Sequence, residues 1–182
     1  MKTRVLVKAE WQATEESPKP DVSFMSMMVR RRLSMVERAA LHVAWKVFEG
    51  TGADGSPIPP AGEVPVVFAS RWGEIGTTLK LMRQMHQEGE MSPAAFSSSV
   101  HNAAPGAWSL FTKNTAPYTA IAARERTYEM GLLEAEAQLA AGPYRTVLYV
   151  YAEESTPVYY HTAFGAPETA RATALLLAAD GE

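Results

Sequence analysis

Short runs of β-branched and aromatic residues alternate along this chain with longer stretches in which apolar residues recur every three or four positions. The alternating or fully apolar runs predict strands, and they occupy residues 4–11, 65–70, 116–123 and 146–152. Residues 172–179 suit a strand or a helix equally well. Strands separated by helices usually form a mainly parallel sheet, so this order predicts a layered α/β domain.

Helices are predicted between the strands. The apolar periodicity indicates them within residues 25–50, 73–89 and 126–141. Residues 97–112 mix small and apolar side chains, as a buried helix does. The 182 residues fit one domain spanning residues 1–182, and a domain of that size can bury a real core.

Composition excludes several classes of function. The net charge is −3, so nothing predicts a general attraction to nucleic acid or to anionic membranes. The chain has no cysteine, which rules out disulfides, thiolate metal sites and a cysteine nucleophile. Residues 1–11 lack the apolar run and cleavage site of a signal peptide, and no stretch reaches the ~20 apolar residues of a membrane helix. We therefore predict a cytosolic protein.

Two other patterns fail on context. GTGADG, at residues 50–55, is similar to part of a dinucleotide fingerprint, but it follows a predicted helix rather than a strand. The histidines do not pair at i+3 or i+4 and do not lie in a carboxylate cluster, so no zinc site is predicted for His42, His86, His101 and His161. No cofactor is implied.

The segment around residues 97–106 leaves two questions open. The serines at 97–99 with His101 allow a serine hydrolase as a less favoured alternative, although no G-x-S-x-G turn surrounds them. Small residues that let elements pack closely are the simpler interpretation. Asn102, if buried, needs hydrogen-bond partners, and Gly106 would allow a close backbone approach.

Several segments, taken in order, resemble the β-ketoacyl synthases. RRRLS, VVFASRWGE, SPAAFSSSVHNA and PYTAIAA are most similar to a short subgroup, the β-ketoacyl-synthase-like N-terminal domains, which resemble chain-length factors of aryl polyene clusters. Trp72 is a departure, because a histidine is expected there. The resemblance implies a layered thiolase-like α/β fold that corresponds to the N-terminal half of a ketosynthase.

The resemblance also places the family's nucleophilic cysteine at Glu125. Counting forward from Asn102 and backward from Gly142 reaches this position in both cases. A carboxylate cannot carry an acyl thioester as a thiolate does. The family's two catalytic histidines belong to the second half of the fold, which these residues do not include. We therefore expect a non-catalytic, chain-length-factor-like subunit that heterodimerises with an active β-ketoacyl-ACP synthase.

The resemblance gives this subunit a candidate interface. The strand before the missing nucleophile pairs across the dimer in the family, and the apolar character of residues 117–123 suits such pairing. We expect bulky residues to line the interface or the end of the acyl or polyene chain pocket, namely Phe96, Trp108, Phe111, Tyr118, Thr119 and Ile121.

Arg30, Arg31 and Arg32 form the densest positive charge in the sequence. Such a group is usually a solvated helix face, but it can also bind an acidic partner, and the resemblance suggests an acyl carrier protein. A stand-alone homodimeric scaffold that binds the carrier protein remains the alternative to a heterodimer.

Overall fold

The computed structural model describes residues 3–53, 55 and 57–180. Its centre is one five-stranded sheet, built from β1 (Thr3–Gln12), β2 (Val66–Ala69), β3 (Tyr118–Ile121), β4 (Thr146–Glu153) and β5 (Arg171–Ala179). The strand order across the sheet is β1-β5-β4-β2-β3. β4, β2 and β3 are parallel, whereas β5 is antiparallel to both β4 and β1.

The sheet is therefore mixed, and the prediction of a mainly parallel sheet was wrong for β1 and β5. Antiparallel neighbours need no crossover helix. The sequence pattern shows where a strand lies but not in which direction it enters the sheet.

Seven α-helices are found in the described part of the chain: α1 (Met27–Arg30), α2 (Met35–Phe48), α3 (Ile75–Glu88), α4 (Pro93–Ser97), α5 (Ala103–Thr112), α6 (Thr127–Ala141) and α7 (Val158–Phe164). None of the helices in these ranges is long and apolar enough to cross a membrane.

The helices form layers on both faces of the sheet. α2 and α5 cover one face, where Val43 packs in a cluster with Phe68 and Leu148. α6 covers the other face, where Leu139 packs in a second cluster with Tyr149. Successive residues of β4 point to opposite faces, so one strand supplies both clusters. This arrangement confirms the predicted layered α/β architecture.

α6 approaches the sheet closely at Gly131. A Cβ atom at this position would lie 2.7 Å from Ala69 Cβ and 2.7 Å from Tyr149 Cε2. Only glycine fits without displacing one of these atoms. The contact fixes α6, and with it the turn that precedes α6, against β2 and β4.

The first predicted helix is divided. α1 ends at Arg30, and α2 begins after Ser34, whose side chain caps the new helix. Ser34 Oγ accepts a hydrogen bond from Glu37 N, and Glu37 Oε2 accepts one from Ser34 N, which is a capping box. The predicted helix over residues 97–112 is likewise divided between α4 and α5.

Two assignments concern the last part of the chain. Residues 171–179 form β5, which resolves the ambiguity in favour of a strand. α7 was not predicted, because its sequence VYYHTAF is rich in the aromatic and β-branched residues that are typical of strands.

Candidate functional site

A tight turn connects β3 to α6, and we call residues 122–126 the elbow. Arg124 has a φ of 54°, the left-handed region that non-glycine residues rarely adopt. Thr127 holds the turn, since its Oγ1 accepts from Ala123 N at 2.9 Å and donates to Arg124 O at 2.6 Å. A fixed turn between a strand and the start of a helix presents its residues outward at the sheet edge.

Glu125 lies in this elbow, and its side chain is 72% exposed. Its Oε1 atom lies 2.9 Å from Nη2 of Arg71. The same nitrogen donates to the backbone oxygen of Phe164 at 2.8 Å. The position at which the resemblance expects a nucleophile therefore holds a carboxylate in an ion pair.

Arg71 was not identified from the sequence, although one signal was present. It follows β2, and the elbow follows the parallel neighbour β3. Residues that follow the carboxyl ends of parallel strands lie at the same edge of the sheet. Residues 71 and 125 could thus have been placed near each other once the two strands were known to be parallel neighbours.

A second group of carboxylates lies at the ends of β2 and β4. Among the described residues four glutamates are buried, each no more than 9% exposed: Glu37, Glu74, Glu153 and Glu154. Glu153 accepts hydrogen bonds from the backbone nitrogens of Arg71 and Trp72 and, at 3.2 Å, from Ser70 Oγ. Glu154 accepts from Gly76 N at 2.7 Å. The donors of these two residues are backbone groups or a hydroxyl.

Glu74 links this group to α2. Ser34 Oγ donates to Glu74 Oε1 at 2.8 Å, and Thr77 Oγ1 donates to Oε2 at 3.3 Å. Burial raises the pKa of Glu74 to about 8, the charge of Glu37 adds to the shift, and the Ser34 hydroxyl opposes it. Burial also raises the pKa values of Glu37, Glu153 and Glu154. No set of three or more potential ligands within the described ranges is arranged to hold a metal ion.

The predicted interface strand lies at an edge of the sheet. Within the described part of the chain, β3 pairs with β2 and with no other strand. Tyr118 is 39% exposed, while Thr119 and Ile121 are half-buried. Thr119 Oγ1 accepts from Gln138 at 3.1 Å, which ties the edge strand to α6. The structure thus brings three of the six predicted interface residues together on one strand.

The three remaining interface candidates lie elsewhere. Phe96, on α4, is 56% exposed. Phe111 is half-buried, with ring centroids 5.3 Å from Phe24 and 5.5 Å from Trp45. Trp108 is only 2% exposed and stacks on Phe48, so it lies in the core of this chain, and its assignment to the interface or the chain pocket stays a prediction. Its large apolar side chain packs in the core cluster on the α2 and α5 side of the sheet.

Asn102 and Gly106 have simpler roles than expected. Asn102 is exposed rather than buried, and it donates to the Tyr118 hydroxyl at 3.2 Å. A Cβ at Gly106 would meet only Tyr118 Oη, at 4.0 Å, so no close approach requires glycine. Both residues lie beside the edge strand without being buried by it.

One of the three arginines, Arg32, borders a large cleft. Arg30 ends α1, and Arg31 and Arg32 are exposed. Arg32 lines a cleft of about 1190 Å³, together with Lys80 and Arg83 of α3. The apolar part of the lining comes from several elements and includes Met28, Val29, Leu33, Leu81, Ala94 and Ala95. The sequence did not indicate that α3 adds its own cations to this side of the molecule.

The serine hydrolase alternative finds no support in the geometry. The hydroxyls of the serines at 97–99 donate to backbone oxygens of residues 94–96, at 2.8 to 3.0 Å. His101 Nε2 lies 2.7 Å from the backbone oxygen of Ser70. These contacts provide no hydrogen bond between nucleophile and base, which a triad requires.

Comparison with known proteins identifies the family. The family model described as the β-ketoacyl synthase N-terminal domain matches residues 7–182. No curated protein gives a significant sequence match.

Solved structures share the fold. The ketosynthase ApeO in complex with its chain length factor ApeC, from Xenorhabdus doucetiae, matches with a TM-score of 0.78 and 24% identity, over 98% of this chain and 79% of that chain. The ishigamide ketosynthase/chain length factor gives 0.69 and 19%, over 82% of this chain and 44% of that one. A β-ketoacyl synthase from Burkholderia phymatum STM815 gives 0.62 and 15%, over 84% and 44%.

These matches confirm the expected thiolase-like fold of a ketosynthase N-terminal half. The chain spans less than half the length of the second and third of these structures.

Proposed function

Because the chain belongs to the β-ketoacyl synthase N-terminal domain family, we propose that it is a non-catalytic, chain-length-factor-like subunit of an active β-ketoacyl-ACP synthase. The observation that carries the proposal is the ion pair of Glu125 with Arg71 in the elbow, at the position where the resemblance expects the family's nucleophile. The fold shared with ketosynthase and chain length factor complexes supports the same role.

The absence of condensing activity follows from the chemistry of residue 125. Condensation requires a thiolate that forms an acyl thioester and later releases it. A carboxylate at this place does not provide that intermediate, and an ion pair lowers its nucleophilicity further. The catalytic work falls to the partner.

The partner surface is the edge strand β3 with its exposed neighbours. An edge strand presents unpaired backbone N–H and C=O groups to another chain. Tyr118 on this strand is 39% exposed, and the segments that precede β3 carry the exposed apolar side chains Phe96, Val100 and Leu110, at 56%, 42% and 86% exposure. An obligate interface of this kind buries ~2,000–5,000 Å².

In this complex, bulky residues set the length of the acyl or polyene chain by sterics. Phe96, Phe111, Tyr118, Thr119 and Ile121 are the candidates; Trp108 is left out because it is buried. The product is an aryl polyene or a related fatty acid or polyketide. No cofactor is required by this role, and the cytosol is the compartment in which the complex works.

Carrier-protein docking is the second part of the proposal. Arg30, Arg31 and Arg32 provide positive charge, and Lys80 and Arg83 extend it along the cleft. Acyl carrier proteins are acidic, so the cationic rim is complementary to them in charge.

Co-expression with a ketosynthase from the same gene neighbourhood tests the heterodimer. We expect a one-to-one complex by light scattering and loss of that complex for Tyr118→Asp. Leu133→Asp is the matched control, because Leu133 is 55% exposed on α6 and not on the edge strand. A clean monomer that does not bind the ketosynthase contradicts the proposal.

A homodimeric, carrier-protein-binding scaffold is the second candidate. The exposed edge of β3 favours it as well, because two copies of the strand can pair with each other. A stable dimer of the chain alone that does not exchange into a complex with the ketosynthase identifies this alternative.

A further inference from the structure

The guanidinium of Arg71 joins three separate segments of the molecule. Its Nη2 atom lies 2.9 Å from Glu125 Oε1 in the elbow and 2.8 Å from Phe164 O at the end of α7. The group also lies over the Trp72 ring, 5.0 Å from the ring centroid. The Arg71 side chain is only 20% exposed, so these contacts leave it little conformational freedom.

The support beneath Arg71 is fixed as well. The backbone nitrogens of Arg71 and Trp72 donate to Glu153, a side chain that is 1% exposed. The Trp72 ring packs on Tyr160 and Phe164, with centroid separations of 5.5 and 6.2 Å. The guanidinium is therefore held in place before any partner or ligand arrives.

We infer that Arg71 is a positioning residue that holds an anion at position 125 and ties the elbow to α7. The elbow is then an anion site that the chain fills with its own Glu125 carboxylate. This inference rests on the proposed function in one respect, which is that residue 125 takes the place of the family's nucleophile. It adds that the anion paired with Arg71 at position 125 is the chain's own Glu125 carboxylate, so no external anion is needed there.

A single cysteine tests the inference, since the chain has none of its own. In Glu125→Cys, iodoacetamide can label only that thiol: the thiolate forms the C–S bond, and iodide leaves with the electrons of the C–I bond. An ordinary thiol has a pKa near ~8.5. A guanidinium beside it lowers this pKa, so we expect the midpoint of the pH–rate profile to lie about half a unit lower, in keeping with an exposed ion pair.

The decisive comparison is with the double variant Glu125→Cys/Arg71→Met. We expect its alkylation at pH 7 to be about threefold slower, because its midpoint returns toward that of an ordinary thiol. Arg126→Met in the Glu125→Cys background is the matched control. Arg126 flanks position 125 in sequence, but the ion pair of Glu125 is with Arg71. We expect less than a twofold change from it.

Hydrogen exchange gives the second readout. Arg71→Met should speed exchange of the α7 amides, because Arg71 donates the hydrogen bond to Phe164 O, whereas Arg126→Met should leave the exchange unchanged. Arg71→Lys keeps the charge and replaces Arg71→Met if circular dichroism shows that the latter is unfolded. It should retain part of the lowered midpoint.

Equal pH–rate midpoints with and without Arg71 overturn the inference, and so does an equal effect of the Arg126 variant. Alkylation reports on this chain alone, whereas the mass of the complex with the ketosynthase reports on the proposed function. Each can therefore fail while the other holds.

Discussion

Among the described residues, the carboxylates near the ends of the parallel strands are of two kinds, buried ones without a cationic partner and an exposed one in an ion pair. At the ends of β2 and β4, Glu74 and Glu153 are buried, and their hydrogen bonds come from hydroxyls and backbone nitrogens. At the end of β3, Glu125 is exposed and paired with a guanidinium. The three residues lie at the same edge of one sheet, yet they differ in burial and in the groups that bind their carboxylates.

This difference in burial implies that the two kinds of carboxylate contribute differently to the free energy of unfolding. A buried carboxylate that accepts several hydrogen bonds holds loops together, and its removal leaves donors unsatisfied. An exposed ion pair contributes little to stability, since water screens it. We expect the buried glutamates to determine the stability of the fold. We expect the exposed ion pair in the elbow to affect the chemistry and the contacts of position 125 instead.

The largest expected effect comes from Glu153→Leu. The backbone nitrogens of Arg71 and Trp72 and the hydroxyl of Ser70 would lose their acceptor in a buried place. We expect a loss of about 3–5 kcal/mol in the free energy of unfolding, measured by urea denaturation. Glu125→Leu is the matched variant, with a loss below ~1 kcal/mol. Equal losses in both would abolish the distinction between the two regions.

Among the four buried glutamates, whose pKa values are all raised, Glu74 is expected to give the largest share of the pH dependence of stability. Its pKa is about 8 in the folded chain and 4.5 in a model compound, so folding takes up a proton between these values. Stability should be highest below about pH 4.5 as far as this group is concerned, should fall as pH rises toward 8, and should stay low above that.

Glu74→Gln removes this dependence while keeping a hydrogen-bonding group in place. We expect the variant to exceed the natural chain by about 2–4 kcal/mol in unfolding free energy at pH 9, and by little at pH 5. Parallel stability curves for the two chains from pH 5 to pH 9 would show that Glu74 is not the titrating group.

The smallest effect concerns salt. Glu125→Gln should cost only ~0.2–1 kcal/mol at low ionic strength. We expect that difference to shrink in 1 M NaCl, where the Debye length falls to ~3 Å and exposed charges are more strongly screened. The same salt change should leave the difference between Glu153→Leu and the natural chain intact, and denaturation curves at both salt concentrations measure it.

Local patterns predicted the elements but not the contacts between distant segments. β4 and α6 follow from their apolar periodicity, and the elbow follows because a strand signal ends shortly before a helix signal. Arg71 and Glu125 are far apart in sequence, so their contact depends on the order of strands in the sheet. Trp108 shows the same limit, because a large apolar residue on a helix looks alike whether it faces the core or a partner.

The buried glutamates were missed for a related reason. Glu153 ends a strongly apolar strand, where a charged residue normally indicates solvent. Its acceptor role depends on backbone nitrogens of residues 71 and 72, which a one-dimensional pattern does not bring together.

The pairing of β1 has a consequence for how the protein is made. Among the described strands β1 comes first in the chain, and it pairs with the last of them, β5, with Thr3 opposite Ala179. During synthesis β1 therefore cannot form its strand pairing until β5 has been made. Such distant pairing slows folding, and until β5 is made both β1 and the outer side of β4 present unpaired backbone groups, which β5 then satisfies together.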